Sequence, residues 1–342
     1  MDSFSHIVLG AAIGDILWGK RYGNKAPLIG AILTTIPDLD VFIAPLFGID
    51  GVDALLIHRT ITHSLLFAFL TAPLRWRLVS RVIGKTKDDR RRRTVISFRC
   101  LLVHQLLDLF TGYGTQRLRP LSKTFFAIDS IFVVDPFRTI PFFVLVLVGI
   151  FYKPDHRERK KAMIAWLVVS SFYLITGLVV QQIARHHFIQ TLPAQTTFLK
   201  TAVTPLNIFL RRGLAEDQDN FYLARRSVYD THPPENRIHI PKQTSLLPQE
   251  AITEDLLRLQ KRFHGNIVIT TLDDSIVASP IEFGALLGWL SGSTVSGLMG
   301  FQWDPIQKKR RSSHWGEGLP SDALPLLRQR IQGIVSIWDS QR

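Results

Sequence analysis

The apolar positions of the chain gather into long runs in its first half. Residues 162–184 form 23 positions without a charge. At 1.5 Å per residue such a helix is about 35 Å long, enough to cross a hydrocarbon core of about 30 Å. Five earlier apolar stretches are shorter or interrupted. Residues 5–19 carry Asp15, residues 26–48 carry Asp38 and Asp40, and residues 60–74 are clean but number only 15. Residues 94–110 carry Arg99, His104 and Asp108, and residues 136–152 carry Arg138. Each alone is a weak signal for a spanning helix. Together they read as a polytopic, mainly α membrane helical bundle. Its polar groups are expected to face inward, because an ionisable side chain in such a helix is costly and faces a cavity or a partner.

The pattern changes after Arg185. Residues 191–229 mix polar and apolar positions, with Pro193 and Pro205 as breakers, and Pro233, Pro234, Pro241 and Pro248 mark loops. Within residues 250–263, Ile252, Leu256, Leu259 and Phe263 fall on one helical face, and Gly265 is placed to cap it. Residues 266–272 and 275–279 read as a hairpin turning at Asp273 and Asp274. Ser321 is suited to cap a last helix running to Trp338. Residues 283–303 carry no charge over 21 positions, but their five glycines favour β structure over a further membrane helix. The expected organisation is a transmembrane domain over residues 1–184 and a small α+β soluble domain over residues 185–342. The latter is read as a packing or substrate-gating module.

Composition sharpens this. Of 342 residues, 46% are hydrophobic and only 20% charged, below the ~25% of soluble domains. Mean hydropathy is +0.14, which excludes intrinsic disorder. A single cysteine, Cys100, excludes a disulfide framework and a cysteine-based zinc site. The net charge is +13, and residues 1–184 hold most of it, with 23 Lys and Arg against 13 Asp and Glu. Three basic groups stand between apolar stretches. They are Lys20, Arg21 and Lys25; then Arg81, Lys85, Lys87 and the four arginines 90–93; then Lys153, Arg157, Arg159, Lys160 and Lys161. Placing all three on the cytoplasmic side satisfies the positive-inside rule. The N-terminus and everything after Ala184 then lie outside. No basic n-region precedes the first apolar run, so no cleavable signal peptide is expected. Four consecutive arginines are also capable of contacting nucleic acid, but a cytoplasmic loop is the simpler reading, and nucleic acid is not expected as a partner.

The candidate chemistry lies between residues 6 and 135. His6 opens the first apolar stretch, and Pro37-Asp38-Leu39-Asp40 interrupts the second. His58-Arg59-Thr60-Ile61-Thr62-His63-Ser64 precedes the third, and His104 and Asp108 sit in the fourth. Asp129 and Asp135 follow in a loop. His104 and Asp108, four apart, project from one helical face and can chelate one ion. His58 and His63 can converge at a loop-to-helix entry, and a broken helix can turn Asp38 and Asp40 into one site. Neutral imidazoles with carboxylates form the donor set of water-activating metals. With the basic loops inside, all of these groups fall at the outer end of their stretches. Asp15 and Asp53 have no such context, and the histidines after residue 185 read as surface groups. A non-enzymatic reading stays open, because buried His and Asp also serve ion relays and transport.

At these residues the chain resembles the inner-membrane, metal-dependent hydrolases of the YdjM type from bacteria. The resemblance rests on SHIVLGAAIG, PDLD, HRTITHS, HQLLDLFTGYGT and DSIFVVDPF in that order, and extends weakly through Thr204-Pro205-Leu206-Asn207 and Arg211. It implies metal ligation by His6, Asp38, Asp40, His58, His63, His104 and Asp108, with Arg59 as the arginine of the HR motif. HxxxD is also distantly similar to the zinc-dependent phospholipase C and single-strand nuclease group, whose last HxxxE pair is missing here, with Asp129 and Asp135 as its candidate replacements. The expected function is hydrolysis by water activated on a divalent metal, zinc first, at the outer face of a bacterial inner membrane. Asp38 or Asp40 is the expected proton acceptor, and Arg59 is expected to hold an anionic oxygen. Thr62 and Ser64 are read as orienting their neighbours. A phosphoester or lipid-linked ester is the expected substrate, and membrane lipid the expected partner.

Overall fold

A computed structural model of the chain describes residues 3–49, 51–83, 90–153, 156–231, 238–247, 254–272, 275–284, 300–304, 309–314 and 323–334. Residues up to 190 are helical apart from loops and one irregular stretch. The helices are α1 (Ser3–Tyr22), α2 (Lys25–Thr35), α3 (Asp40–Leu46), α4 (Gly51–Ile57), α5 (Leu65–Ile83), α6 (Arg90–Leu109), α7 (Pro136–Phe151) and α8 (Arg157–Gln190). The chain divides into two compact units, and the division falls inside α8. The first comprises Met1–Gly48, Ile57–Leu178 and Pro205–Asn207; the second comprises Ile49–Leu56, Val179–Thr204 and Ile208–Arg342.

In the first unit α1 and α2 form an antiparallel pair at backbone contact. A Cβ on Gly10 would overlap the Gly30 carbonyl, and one on Gly30 would overlap the Gly10 carbonyl. Only glycine permits this approach, the small-residue packing used where helices meet in lipid. Trp18, Ala26, Ile29, Leu33, Trp76, Val79, Ile96 and Cys100 make a buried cluster joining α1, α2, α5 and α6. Asp15, unremarked by its sequence context, is buried here. Arg159 of α8 grips it, with Nε 3.0 Å from both carboxylate oxygens and Nη2 at 2.5 Å. The Arg159 Nη1 donates to Asn24 Oδ1 at 2.6 Å and to the Tyr152 carbonyl at 3.1 Å. Arg159 thus departs from the solvated cytoplasmic group in which its position places it.

Pro37 lacks an N–H and cannot continue α2, so the chain passes through a 3-10 helix, Ile36–Leu39, before α3. This is the interruption expected at Pro37-Asp38-Leu39-Asp40. Among the described residues two stretches have the length and hydropathy of a membrane span, Lys25–Leu46 and Arg157–Gln190. The apolar α7 is shorter. Helices α1, α5 and α6 have 20, 19 and 20 residues. Each carries basic residues toward one end, together with Asp15 in α1, Arg75 in α5, and Arg99, His104 and Asp108 in α6.

The second unit carries two antiparallel four-stranded sheets. The first joins β1 (Thr197–Val203), β2 (Leu210–Glu216), β3 (Asn220–Ser227) and β4 (Ile238–Pro241) in chain order. After α9 (Glu254–Arg262) the second joins β5 (Ile267–Leu272), β6 (Ser275–Pro280), β7 (Gly300–Asp304) and β8 (Lys309–His314), also in chain order. The short α10 (Ile281–Gly284) follows β6, and α11 (Ala323–Ile331) is the last described helix. Leu256, Leu259 and Phe263 of the expected helical face pack on Ile267, Ile269, Ala278 and Trp303. Gly265 ends α9 at φ +81°, and its N–H bonds to the Gln260 carbonyl at 2.8 Å. The hairpin expected over residues 266–279 is β5–β6, paired from Ile267–Pro280 to Leu272–Ser275. Ile252, the Asp273-Asp274 turn, Ser321, residues 335–338 and residues 285–299 of the uncharged stretch lie outside the described residues; that stretch ends in β7.

Candidate metal centre

The helices of the first unit alternate in direction, and the sequence distributes its polar groups accordingly. α1 runs from His6 to Lys20 and Arg21. α2 runs from Lys25 towards Asp38, α5 from just after His63 to Arg81, and α6 from the arginines to His104 and Asp108. One end of this group therefore collects basic residues and the other collects His and Asp.

At that second end His6, Asp38, His104 and Asp108 are all buried, and one ligand atom from each lies within 4.8 Å of the others. His63 enters the same space from the turn before α5. Its Nε2 is 3.4 Å from Asp38 Oδ1 and 3.3 Å from Asp108 Oδ2. His104 Nε2 is 3.7 Å from the same Asp38 oxygen and 3.3 Å from the same Asp108 oxygen. Bonds of ~2.0–2.1 Å to a tetrahedral zinc ion place its ligand atoms about 3.3 Å apart. Two nitrogens and two oxygens thus stand at nearly the spacing of zinc ligands. Asp38 Oδ1, His63 Nε2 and His104 Nε2 are buried without a hydrogen-bond partner among the described residues. Buried polar atoms are otherwise almost always satisfied, so the donor set fits a cation.

His6 lies on the other side of the two carboxylates. Its Nε2 is 3.1 Å from Asp108 Oδ1 and 3.9 Å from Asp38 Oδ2, and its ring stacks on His104 at 3.8 Å. Thr34 Oγ1 donates to the His6 carbonyl, which fixes the helix at this point. Arg59, 2% exposed, sets its Nη2 3.2 Å from Asp108 Oδ1. Its Nη1 donates to Thr111 Oγ1 at 3.1 Å, and its guanidinium covers the Tyr113 ring at 5.1 Å. Arg59 has φ +60°, a costly conformation for a side chain of this size, and it turns the backbone between α4 and α5. With neutral imidazoles, Asp38, Asp108 and Arg59 leave one net negative charge in a buried space, which a divalent cation would offset.

Asp40 and His58 are placed beside this group. His58 Nδ1 meets Asp40 Oδ1 at 2.9 Å, while Asp40 Oδ2 accepts from Thr62 Oγ1 at 2.7 Å and from the Arg59 N–H at 3.3 Å. Asp38 and Asp40 part because two steps around a 3-10 helix turn a side chain by about 240°. Thr62 Oγ1 also meets His63 Nδ1 at 2.9 Å. Since the Thr62 hydroxyl donates to the carboxylate, His63 Nδ1 must carry the proton, and Nε2 keeps its lone pair toward Asp38 and Asp108. Asp40 thus fixes the His63 tautomer through Thr62, in the manner of the outer shell of a metal site.

Asp129 and Asp135, on the irregular stretch, are not among these grouped ligand residues. Asp135 Oδ2 accepts from Tyr173 Oη at 2.6 Å, and Asp129 lies against Gly112. Ser64 Oγ accepts from the Phe67 N–H at the start of α5, and its carbonyl accepts from Gln105 Nε2 at 3.0 Å. Thr111, Tyr113 and Gln105, which support Arg59 and the His63 turn, stand inside the HQLLDLFTGYGT motif but were given no role of their own by the sequence.

The comparisons with known proteins agree in region with this centre. The chain is 26% identical over 147 residues to "Uncharacterized protein YfhP" of Bacillus subtilis (strain 168). That match covers 40% of this chain and 42% of the relative, so the chain spans under half of that protein. No solved structure matches. Residues 1–186, which contain every residue of the centre and stop short of Arg211, match the family described as YdjM inner membrane protein, and the chain belongs to that family.

Proposed function

We propose that the chain is a membrane-embedded, metal-dependent hydrolase acting on a phosphoester or lipid-linked ester at the outer face of the inner membrane. The observation that carries this reading is the spacing of Asp38 Oδ1, His63 Nε2, His104 Nε2 and Asp108 Oδ2, between 3.3 and 3.7 Å for the four His–Asp pairs. These four side chains would hold the ion, with zinc as the first choice for two imidazoles and two carboxylates. His6 would bind on the opposite carboxylate face. When bound, a divalent cation supplies Lewis acidity that lets water ionise near neutral pH.

The chain's own groups supply the rest. Arg59 holds Asp108 in place and presents a guanidinium where an anionic oxygen of the substrate would sit. Asp40, paired to His58, is the carboxylate outside the proposed ligand set and the proposed proton acceptor. Thr62 transmits its orientation to His63. The depth of these groups at the end of the helices suits an ester headgroup presented by the outer leaflet.

In the membrane, this reading makes the protein multi-pass, with the basic helix ends in the cytoplasm and residues 185–342 as a soluble periplasmic domain. Large apolar side chains that face away from the protein support it, among them Phe69 of α5 at 64%, Phe137 of α7 at 62% and Phe172 of α8 at 69% exposed. The test of the hydrolase reading is a screen of phosphoesters with detergent-purified protein before and after metal removal. Turnover that disappears with the metal, returns with zinc and is lost in Arg59→Ala is expected. Metal binding without turnover of any phosphoester or carboxylic ester would overturn it in favour of an ion-relay role.

A further inference from the structure

The basic end of the same helices carries a second arrangement of polar groups, which the hydrolase reading does not use. Two clefts flank the start of α6. One, of about 310 Å³, is lined by Leu17 and Trp18 of α1 and by Arg91, Arg92, Val95 and Arg99 of α6. The other, of about 290 Å³, is lined by Pro73, Leu74, Trp76 and Arg77 of α5 and by Arg93. Trp18 and Trp76 stand 6.1 Å apart at the buried boundary between them.

Two features of the first cleft point to a ligand. Arg91, Arg92 and Arg99 bring three guanidinium groups to it, and among the described residues that line it there is no acidic side chain. Trp18, 1% exposed, has an indole N–H without a hydrogen-bond acceptor among the described residues, a cost that native interiors rarely carry. An N–H donor and several guanidinium donors at one cleft call for an anion with several acceptor oxygens. The apolar side chains determine its kind. Leu17 and Val95 line the cleft and are exposed, so an apolar surface continues from the arginines onto the helix faces. A free anion has no use for that surface; an acyl chain does.

We infer that this cleft binds the phosphate of an anionic phospholipid, with its headgroup on Arg91, Arg92, Arg99 and the Trp18 N–H and its acyl chains along Leu17 and Val95. Basic pockets between helices on the cytoplasmic side of a membrane recognise such headgroups. Along α6, Arg91 lies about 20 Å and Arg99 about 8 Å from His104, and no residue of the metal centre lines the cleft. Arg91, Arg92 and Arg99 then anchor the protein in its leaflet and hold the helices at the depth the metal centre requires.

The test is native mass spectrometry of the full-length, detergent-purified protein titrated with phosphatidylglycerol or with phosphatidylcholine of the same acyl chains. Selective retention of phosphatidylglycerol is expected. Arg91→Ala and Arg99→Ala should each weaken it about fivefold, and the pair about 25-fold. Trp18→Phe keeps an aromatic ring, removes the donor and should also weaken it. Arg91 and Arg99 are exposed, so their variants keep the test intact if Trp18→Phe does not fold. Metal content should not change in any of them. Equal retention of the two lipids, or retention unchanged in the double arginine variant, would overturn the inference. Full displacement of phosphatidylglycerol by millimolar inorganic phosphate would overturn the assignment to lipid and leave a soluble phosphate as the ligand.

Discussion

Replacing Asp15 by Ala leaves the Arg159 guanidinium buried with Asn24 Oδ1 and the Tyr152 carbonyl as its remaining acceptors among the described residues. Breaking a buried pair on one side costs about 3–5 kcal/mol, so thermal unfolding of Asp15→Ala should shift down strongly. The double variant Asp15→Ala/Arg159→Met should recover most of the loss, because no charge is then stranded. At the metal centre the expected pattern differs by position. His104→Ala removes a ligand and should abolish binding, whereas Asp40→Ala releases the His63 tautomer and should weaken affinity by about 10–100-fold with stoichiometry kept at saturating metal. A metal-chelator competition titration separates the two. His104 and Asp108 were legible in the sequence because four residues on a helix fix their shared face. The separate placing of Asp38 and Asp40 was not, since it depends on a 3-10 turn, and the Asp15–Arg159 pair was not, since its members lie 144 residues apart.

Among the helices, the contact of α1 with α2 leaves no room for side chains at its crossing. Gly30→Val should disrupt it, because the new atoms overlap the Gly10 carbonyl and Gly14 Cα in rigid backbone. Overpacking of this kind costs about 1–3 kcal/mol or more, and it should lower the unfolding temperature and the metal affinity together, as His6 and Asp38 belong to these two segments. The sheet elements show why pattern reading succeeds unevenly. α9 and the β5–β6 hairpin follow clean periods of 3.6 and 2 and were legible. β2 and β3 were not, because arginines stand side by side in each, Arg211 with Arg212 and Arg225 with Arg226. Arg211 and Arg212 are buried all the same. The Arg211 Nε donates to the Ile208 carbonyl at 3.0 Å, and Arg212 Nη2 bonds to the Glu282 carbonyl. Their charge hides strand character that long-range partners make possible.

For the whole molecule the two units respond to different variables. In the second, burial by itself would raise the Glu282 carboxyl, but Lys200 Nζ at 2.9 Å, with Asn266 and Arg262, outweighs it and holds the group below its ordinary value of 4.5. The folded value lies below the unfolded one, so this carboxylate contributes in full above pH 4.5 and its contribution fades as pH falls through the lowered value. Unfolding of the full chain followed between pH 6 and 3 should lose less stability in Glu282→Gln than in the native sequence. The first unit should report its orientation. A membrane-impermeant thiol reagent on intact cells should label Lys123→Cys at the site end and spare Lys20→Cys at the basic end, while native Cys100 is buried. The central claim is that the buried His and Asp groups hold a metal ion. Metal analysis of the purified protein beside His104→Ala and Asp108→Ala tests it most directly. Stoichiometric zinc or another first-row metal in the native protein, lost in both variants while their helical content stays unchanged, is the predicted result. A native protein that carries no metal and takes up none on reconstitution would contradict the account.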